Sequence, residues 1–93
     1  EQQFDVVLVS NYLYRPHLPA LIQFVAPEGH LLYETFGLGN ERYGKPSNPN
    51  FLLKQHELAS ALGSQFLILD ERFEAVTDPT PAVRAGIFAR RLK

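Results

Sequence analysis

Phe4-Asp5-Val6-Val7-Leu8-Val9-Ser10 is the stretch of sequence that decides the fold. It is apolar almost throughout, without the alternation expected of a strand that has one face in water. A continuous apolar run of this length is typical of a strand covered on both faces, as in parallel sheets. We therefore expect this segment to be a buried central strand of an open α/β sheet.

The residues after this strand predict a helix and then a second strand. Pro16 and Pro19 suit the first turn of a helix, where a missing N–H is tolerated. Apolar residues then recur at helical spacing, at Leu18, Leu21, Ile22 and Val25. We expect Pro27-Glu28-Gly29 to end the helix and His30–Phe36 to form the second strand. A helix between two strands makes a crossover, so the two strands should be parallel neighbours.

The middle of the chain predicts a long loop followed by a short helix. The segment 37–50 is rich in Gly, Pro, Asn and charge and has no periodicity, which is typical of a functional or mobile loop. The segment 55–62 predicts a second helix that ends at Gly63. Its expected inward-facing residues are Leu58, Ala61 and Leu62.

The last third of the chain predicts an antiparallel hairpin. A third strand begins at Phe66, the segment 77–81 is the clearest turn, and 83–92 is the partner strand. We expect ion pairs across the hairpin, between the first arm with Asp70, Glu71, Arg72 and Glu74 and the second with Arg84, Arg90 and Arg91. The predicted order is β-α-β-α-β-β in a single α/β domain over residues 1–93, with two parallel strands and a final hairpin.

The composition excludes several classes of protein. With 45% hydrophobic and 20% charged residues among 93, the chain is expected to be one small globular domain. A net charge of −1 gives no electrostatic case for nucleic acid or an anionic membrane. The sequence has no cysteine, and its histidines lack partners at metal-ligand spacing, so we expect no metal site. No apolar run is long enough to span a bilayer, and we expect a soluble cytoplasmic protein.

Three segments resemble a known enzyme family. They are Phe4–Val9 followed by Ser10–Leu13, Val25–Phe36, and Phe51–Leu53 with Glu57-Leu58. Together with the order of elements, they are similar to the C-terminal half of the class I S-adenosylmethionine-dependent methyltransferases. The likeness is greatest to small bacterial methyltransferases of the tellurite-resistance type. The resemblance implies a Rossmann-like sheet and S-adenosylmethionine as the cofactor of the complete protein.

The resemblance also implies that part of the cofactor site lies outside this chain. The glycine-rich loop of the family follows its first strand, and the matching segments begin at the fourth. Gly37-Leu38-Gly39 with Gly44 has the wrong spacing for that loop. The implied function is part of an enzyme that transfers a methyl group to an unidentified small molecule, inactive as this segment alone. The alternative is a non-catalytic α/β module for dimerisation or ligand binding.

The expected binding residues follow from the resemblance and from the geometry of open sheets. Ligands of such sheets bind at the carboxyl ends of the strands. The resemblance assigns cofactor binding to Ser10, Asn11 and Tyr12. It assigns substrate binding to Glu34, Thr35, Arg42 and Tyr43. It assigns no catalytic residue.

Structural roles are open alternatives for some of these residues. Asn11 could act as a hydrogen-bond acceptor for the ligand, or it could cap the following helix. Tyr12 could form an aromatic wall, or it could pack beneath that helix. Glu34 lies in an apolar strand, where an unpaired carboxylate is costly. We expect it to pair with an arginine such as Arg15 or Arg42, with a functional acid as the alternative.

The first strand also predicts an association. In the complete fold it would lie between two strands, whereas this chain supplies a neighbour on one side only. An apolar strand edge without a partner invites pairing with another chain. We expect the segment 4–10 to pair with a missing N-terminal segment or with a second copy in a homodimer.

Overall fold

The computed structural model describes residues 2–93, which form helices and strands in alternation and then a hairpin. The elements are β1 (Phe4–Ser10), α1 (Leu18–Gln23), β2 (Val25–Phe36), α2 (Glu57–Leu62), β3 (Phe66–Val76) and β4 (Ala82–Arg91). The four strands form one sheet in the order β1-β2-β4-β3. β1 and β2 are parallel, while β4 is antiparallel to both of its neighbours. The expected mixed sheet, with one parallel pair and a final hairpin, is confirmed.

β1 is the edge strand of the sheet within residues 2–93, and it is not buried on both faces as predicted. Val7 and Val9 pack against the core, but Val6 is 58% exposed and Leu8 is 70% exposed. The prediction that both faces are buried was wrong because a continuous apolar run shows only that both faces are apolar. It does not show that other elements cover them. The expected unpaired edge is present among the described residues.

The passage from α1 to β2 differs from the prediction. The helix ends at Gln23, and β2 begins at Val25, so Pro27-Glu28-Gly29 lies inside the strand instead of ending the helix. Here the β1–β2 register is irregular and Glu28 has a φ of 69°. A Cβ on Gly29 would lie 2.9 Å from the backbone oxygens of Ala26 and Asp5. Glycine is therefore required by close backbone packing at an irregular point of the strand.

The hydrophobic core lies between the sheet and the two helices, on one face of the sheet. Its most deeply buried members include Val25 from the start of β2, Leu31 and Tyr33 further along it, and Ala89 from β4. Leu58 and Leu62 of α2 contribute as predicted, but Ala61 is exposed because the six-residue helix turns it away from the sheet. Among residues 2–93, neither helix has the length and apolar character needed to cross a membrane.

The loop between β2 and α2 is anchored to the sheet through Asn40. The Asn40 side chain is 2% exposed. Its Nδ2 donates to the Pro46 oxygen at 2.9 Å, and its Oδ1 accepts from the Val83 amide at 3.0 Å. Short 3-10 turns occupy Asn40–Arg42 and Pro49–Phe51. The predicted aperiodic loop therefore packs through a buried amide that the sequence pattern did not single out.

The hairpin turn between Val76 and Ala82 agrees with the prediction, but the expected ion pairs across the hairpin do not form. Arg72 on β3 instead pairs with Glu74 on its own strand and with Glu34 on β2. Arg91 donates to the Val25 carbonyl at 2.5 Å. Long side chains reach past their directly opposite neighbours, so charge and register alone did not identify the partners.

Candidate functional site

A cavity of about 480 Å³ opens where β1 and β2 end. Its lining comes from the β1 tip and the following turn, the end of β2, and the long loop: Asn11, Tyr12, Leu13, Tyr14, Thr35, Phe36, Pro46 and Phe51. The lining is mainly aromatic and apolar with a few polar groups, as is typical of small-molecule sites. The cavity lies at the carboxyl ends of the parallel pair, where open α/β sheets bind ligands.

Asn11 is held at the tip of β1 by both its backbone and its side chain. Its φ of 54° is in the left-handed region, which asparagine tolerates better than most residues. Its amide donates to the Glu34 carbonyl at 2.8 Å. Its side-chain Oδ1 accepts from Nη1 of Arg84 at 2.8 Å. The Asn11 side chain therefore does not cap the following helix, and that alternative is wrong.

Tyr12 and Tyr33 connect the rim of the cavity to the core. The buried Tyr33 hydroxyl donates to the Tyr12 carbonyl at 2.5 Å. Burial raises the pKa of Tyr33 to about 12, because the phenolate would lose its hydration. The Tyr12 hydroxyl lies 2.7 Å from Nδ1 of His17, and the Tyr12 side chain is 41% exposed. Tyr12 thus lines the cavity rather than packing beneath the helix.

Arg15 and Glu57 form a bidentate ion pair beside the segment that carries Phe51. Nε of Arg15 donates to Oε2 of Glu57 at 2.6 Å, and Nη2 donates to Oε1 at 2.9 Å. Arg15 also donates to the carbonyls of Asn50 and Leu52 at 3.0 and 2.8 Å. The hydrogen bond from Arg15 lowers the pKa of Glu57 and raises that of Arg15. This clamp fixes the chain on both sides of Phe51 and so holds one wall of the cavity.

Glu34 points to the opposite face of the sheet, toward β4 and β3. Its Oε2 accepts from Nη1 of Arg72 at 2.7 Å, and its Oε1 lies 3.8 Å from Nη2 of Arg84. Glu34 and Arg72 are both register partners of Gly86, which has no side chain to separate them. The expected pairing of Glu34 with an arginine is confirmed, although the arginines are not Arg15 or Arg42, the two given as examples. The sheet register, unknown from the sequence, selects Arg72 and Arg84.

The structure brings together some of the predicted site residues and separates others. Asn11, Tyr12 and Thr35 all line the cavity. Ser10 is the register partner of Glu34, and both lie on the face opposite to Thr35 because successive strand residues alternate. Arg42 and Tyr43 lie outside the cavity lining, where the Arg42 guanidinium stacks 5.7 Å from the centre of the Tyr43 ring.

Several cavity residues were not identified by sequence reasoning. They are Leu13, Tyr14, Phe36, Pro46 and Phe51. Tyr14 and Phe36 are close in sequence to predicted site residues, so the carboxyl-end rule could have included them. Pro46 and Phe51 come from the long loop, and nothing in their local pattern distinguishes them from its other residues. Arg84, the partner of Asn11, lies 73 residues away in sequence.

Comparisons with known proteins support a likeness of fold. No protein-family model matches the sequence, and no curated protein matches it. The crystal structure of TehB from Haemophilus influenzae is similar over 98% of this chain and 36% of that chain, with a TM-score of 0.69 and 14% identity. N-methyltransferase NodS from Bradyrhizobium japonicum WM9 is similar over 100% of this chain and 53% of that chain, with a TM-score of 0.68 and 14% identity. The chain thus spans between a third and about half of these structures, and the expected mixed α/β fold is confirmed.

Proposed function

We propose that this chain is part of an S-adenosylmethionine-dependent methyltransferase that acts on a small-molecule acceptor. The observation that carries the proposal is the cavity of about 480 Å³ at the carboxyl ends of β1 and β2. Its position in the sheet is the one at which open α/β sheets bind their ligands. The likeness of fold to NodS, an N-methyltransferase by name, supports methyl transfer as the reaction. A cytoplasmic location stays a prediction.

The residues of this chain fit one end of the cofactor. Tyr12 presents a half-exposed aromatic ring at the cavity rim, and a ring face attracts a cationic sulfonium. Asn11 supplies a polar group beside it. Glu34, the carboxylate nearest the end of β2, is engaged by Arg72 and lies on the other face, so it is not placed to bind ribose hydroxyls. Residues outside the described part of the chain would have to hold the nucleoside.

The chemistry asked of these residues is positioning. S-adenosylmethionine, when bound, supplies an electrophilic methyl group. Transfer to a nucleophilic acceptor needs alignment in a shaped, partly dry pocket more than it needs acid–base catalysis. Tyr12, Tyr14 and Phe51 supply the aromatic walls of the cavity. The Arg15–Glu57 clamp keeps that wall in place.

Titration calorimetry with S-adenosylmethionine tests the proposal. We expect the 93-residue chain to bind this probe weakly, and Tyr12→Ala to weaken binding about tenfold because the contact between the ring and the sulfonium is lost. Tyr43→Ala is the matched control, since Tyr43 is 45% exposed against 41% for Tyr12 and lies outside the cavity. It should leave the affinity unchanged. A larger loss of affinity in Tyr43→Ala than in Tyr12→Ala would indicate that the probe binds at the long loop instead.

If the chain alone does not bind the probe, a second observation decides between an enzyme and a non-catalytic module. The coding sequence before Glu1 would then have to encode a strand followed by a glycine-rich turn. Absence of both binding and that turn would contradict the enzyme proposal. The chain would then be better described as a non-catalytic module.

That second function, a module for association, is favoured by the free edge of β1. Within residues 2–93, β1 has a hydrogen-bonded neighbour on one side only, and Val6 and Leu8 expose much of their apolar surface. We propose that this edge pairs with another strand, from a second copy of the chain or from a segment outside these residues. An apolar edge strand is the usual surface for such pairing.

Sedimentation equilibrium tests the pairing. A second copy predicts a dimer at tens of micromolar that dissociates in Val6→Lys, where a charge is added to the edge strand. Phe51→Lys, with similar exposure but on the loop, is the control and should not change the mass. A well-folded monomer of the wild-type chain at this concentration would contradict pairing between copies.

A further inference from the structure

The Arg84 side chain, on β4, contacts two residues of β2 and the residue that follows β1. Its Nη1 donates to Oδ1 of Asn11 at 2.8 Å, after the end of β1. Its guanidinium carbon lies 4.6 Å from the centre of the Phe36 ring, on β2. Its Nη2 is 3.8 Å from Oε1 of Glu34, and the side chain is only 17% exposed. An arginine restrained on three sides is pre-organised to hold whatever it contacts.

The contact with Arg84 determines which way the Asn11 carboxamide faces. A guanidinium has hydrogen-bond donors and no acceptor, so the Asn11 atom that faces it has to be the oxygen. The backbone of Asn11 is restrained as well, by its bond to the Glu34 carbonyl at 2.8 Å. The Asn11 nitrogen, with its two N–H groups, is consequently on the side away from Arg84.

We propose that Arg84 is a positioning residue that makes Asn11 a hydrogen-bond donor at the tip of β1. The ligand group recognised there is then an acceptor, such as a carbonyl or carboxylate oxygen, and not an ammonium. This reverses the acceptor role that the sequence suggested for Asn11. The inference rests on the proposed function only in that the cavity beside Asn11 takes a ligand.

The surrounding charges support the assignment. The Glu34 carboxylate is shared between Arg72 and Arg84. It therefore does not compete with a ligand for the N–H groups of the Asn11 side chain. Phe36 lies along the guanidinium and also lines the cavity. Loss of the Arg84 side chain would leave the Asn11 carboxamide free to rotate, and both acceptor and donor orientations would become accessible.

Side-chain amide resonances of Asn11 test the orientation directly. We expect Arg84→Met to move both Asn11 side-chain N–H resonances toward the positions of a freely rotating carboxamide. Arg90→Met, on the same strand at its opposite end, is the matched control and should leave them in place. Unchanged Asn11 resonances in a folded Arg84→Met protein would overturn the positioning role.

Two small probes then test the donor role in the wild-type chain. N,N-dimethylacetamide offers only an acceptor, and methylammonium offers only donors. We expect the first probe, and not the second, to shift the Asn11 side-chain resonances. The Asn11→Asp variant keeps an oxygen for Arg84 but has no side-chain N–H to donate. In this variant we expect methylammonium, and not dimethylacetamide, to shift the backbone amide resonance of Tyr12.

The outcomes separate this inference from the proposed function. A wild-type response to methylammonium as large as that to dimethylacetamide, or a response to neither, overturns the donor assignment. Neither probe is a cofactor analogue, so the result does not depend on whether S-adenosylmethionine binds. Conversely, cofactor binding with an unaltered Asn11 signal in Arg84→Met would retain the proposed function and refute the inference.

Discussion

The two faces of the sheet differ in how completely the described residues cover them. On the covered face, which carries α1 and α2, Leu31 of β2 is 2% exposed. Its neighbour in sequence, Leu32, points to the open face and is 42% exposed. Leu8, Leu32 and Phe88 are register partners and form an apolar row across the open face. A contiguous apolar row of this kind is typical of a surface that contacts another chain or segment.

The two faces also use charge differently. On the covered side, Arg15 and Glu57 connect the residues after β1 to α2 through two hydrogen bonds. On the open face, Glu34 and Arg72 meet across Gly86 and are both more than a third exposed. The first pair closes a structural wall, whereas the second lies within reach of water, which weakens it. Stability should therefore depend on the covered face far more than on the open one.

The largest expected effect is a difference between neighbouring leucines. Leu31→Ala should lower the free energy of unfolding by about 2–5 kcal/mol, because it leaves a cavity in the core. Leu32→Ala should change it much less, because Leu32 is already 42% exposed in the folded protein. Urea denaturation of both variants measures the difference. Equal losses would break the comparison and show that the open face is covered in solution.

The next effect is a dependence of stability on pH that comes from Glu57. Its pKa is lowered in the folded state, so its contribution is present above the ordinary glutamate pKa and is lost as pH falls through the folded value. Glu57→Gln should destabilise the protein by about 1–2 kcal/mol at neutral pH, because charged hydrogen bonds are lost. Its unfolding free energy should then fall less than the wild type's on acidification. An identical acid dependence in the two proteins would contradict this role.

A smaller effect is expected at Tyr33, at the boundary between the core and the cavity. Tyr33→Phe should cost about 0.5–1.5 kcal/mol, because the hydrogen bond to the Tyr12 carbonyl is lost. With its pKa raised to about 12, Tyr33 stays protonated in the folded state at pH values where the unfolded state releases its proton. Stability should therefore fall as pH rises above the ordinary tyrosine pKa. Absorbance titration should show one of the four tyrosines ionising late, and that one should be missing in Tyr33→Phe.

The smallest effect should come from the open-face ion pair. Glu34→Gln should change the unfolding free energy by less than about 1 kcal/mol, because exposed pairs contribute little. The effect should shrink further in high salt. A loss as large as that of Glu57→Gln would mean that the Glu34–Arg72 pair is shielded from water. It would thereby indicate a covering layer on the open face.

Much of the architecture was predictable from local signals. The apolar segment 4–10, the proline-led helix and the turn before Ala82 each carry a pattern whose cause is local, namely side-chain burial or restricted backbone angles. Boundaries were less predictable. Pro27-Glu28-Gly29 has the composition of a helix stop, yet it lies in β2 because pairing with β1 and close packing at Gly29 determine its conformation. Sequence signals indicate that the chain must bend there, but not in which element.

The candidate site was predictable only in part. The carboxyl-end rule correctly brought Asn11, Tyr12 and Thr35 to one cavity. It could not foresee the contribution of the loop residue Phe51, which is placed by the Arg15–Glu57 clamp. Nor could it indicate the orientation of Asn11, which depends on a partner from the far end of the sequence.

By itself the sequence determined the α/β class, the parallel pair and the final hairpin, because hydrophobic periodicity and turn residues act over short distances along the chain. Only the tertiary structure decided the partners of the charged side chains. Glu34 meets Arg72 because both pair with Gly86, and Asn11 meets Arg84 because β4 lies beside β2. Register and strand order join residues far apart in sequence, and no local pattern records them. The exposure of Val6 and Leu8 likewise depends on which elements cover each face of the sheet, and the apolar segment 4–10 does not record it.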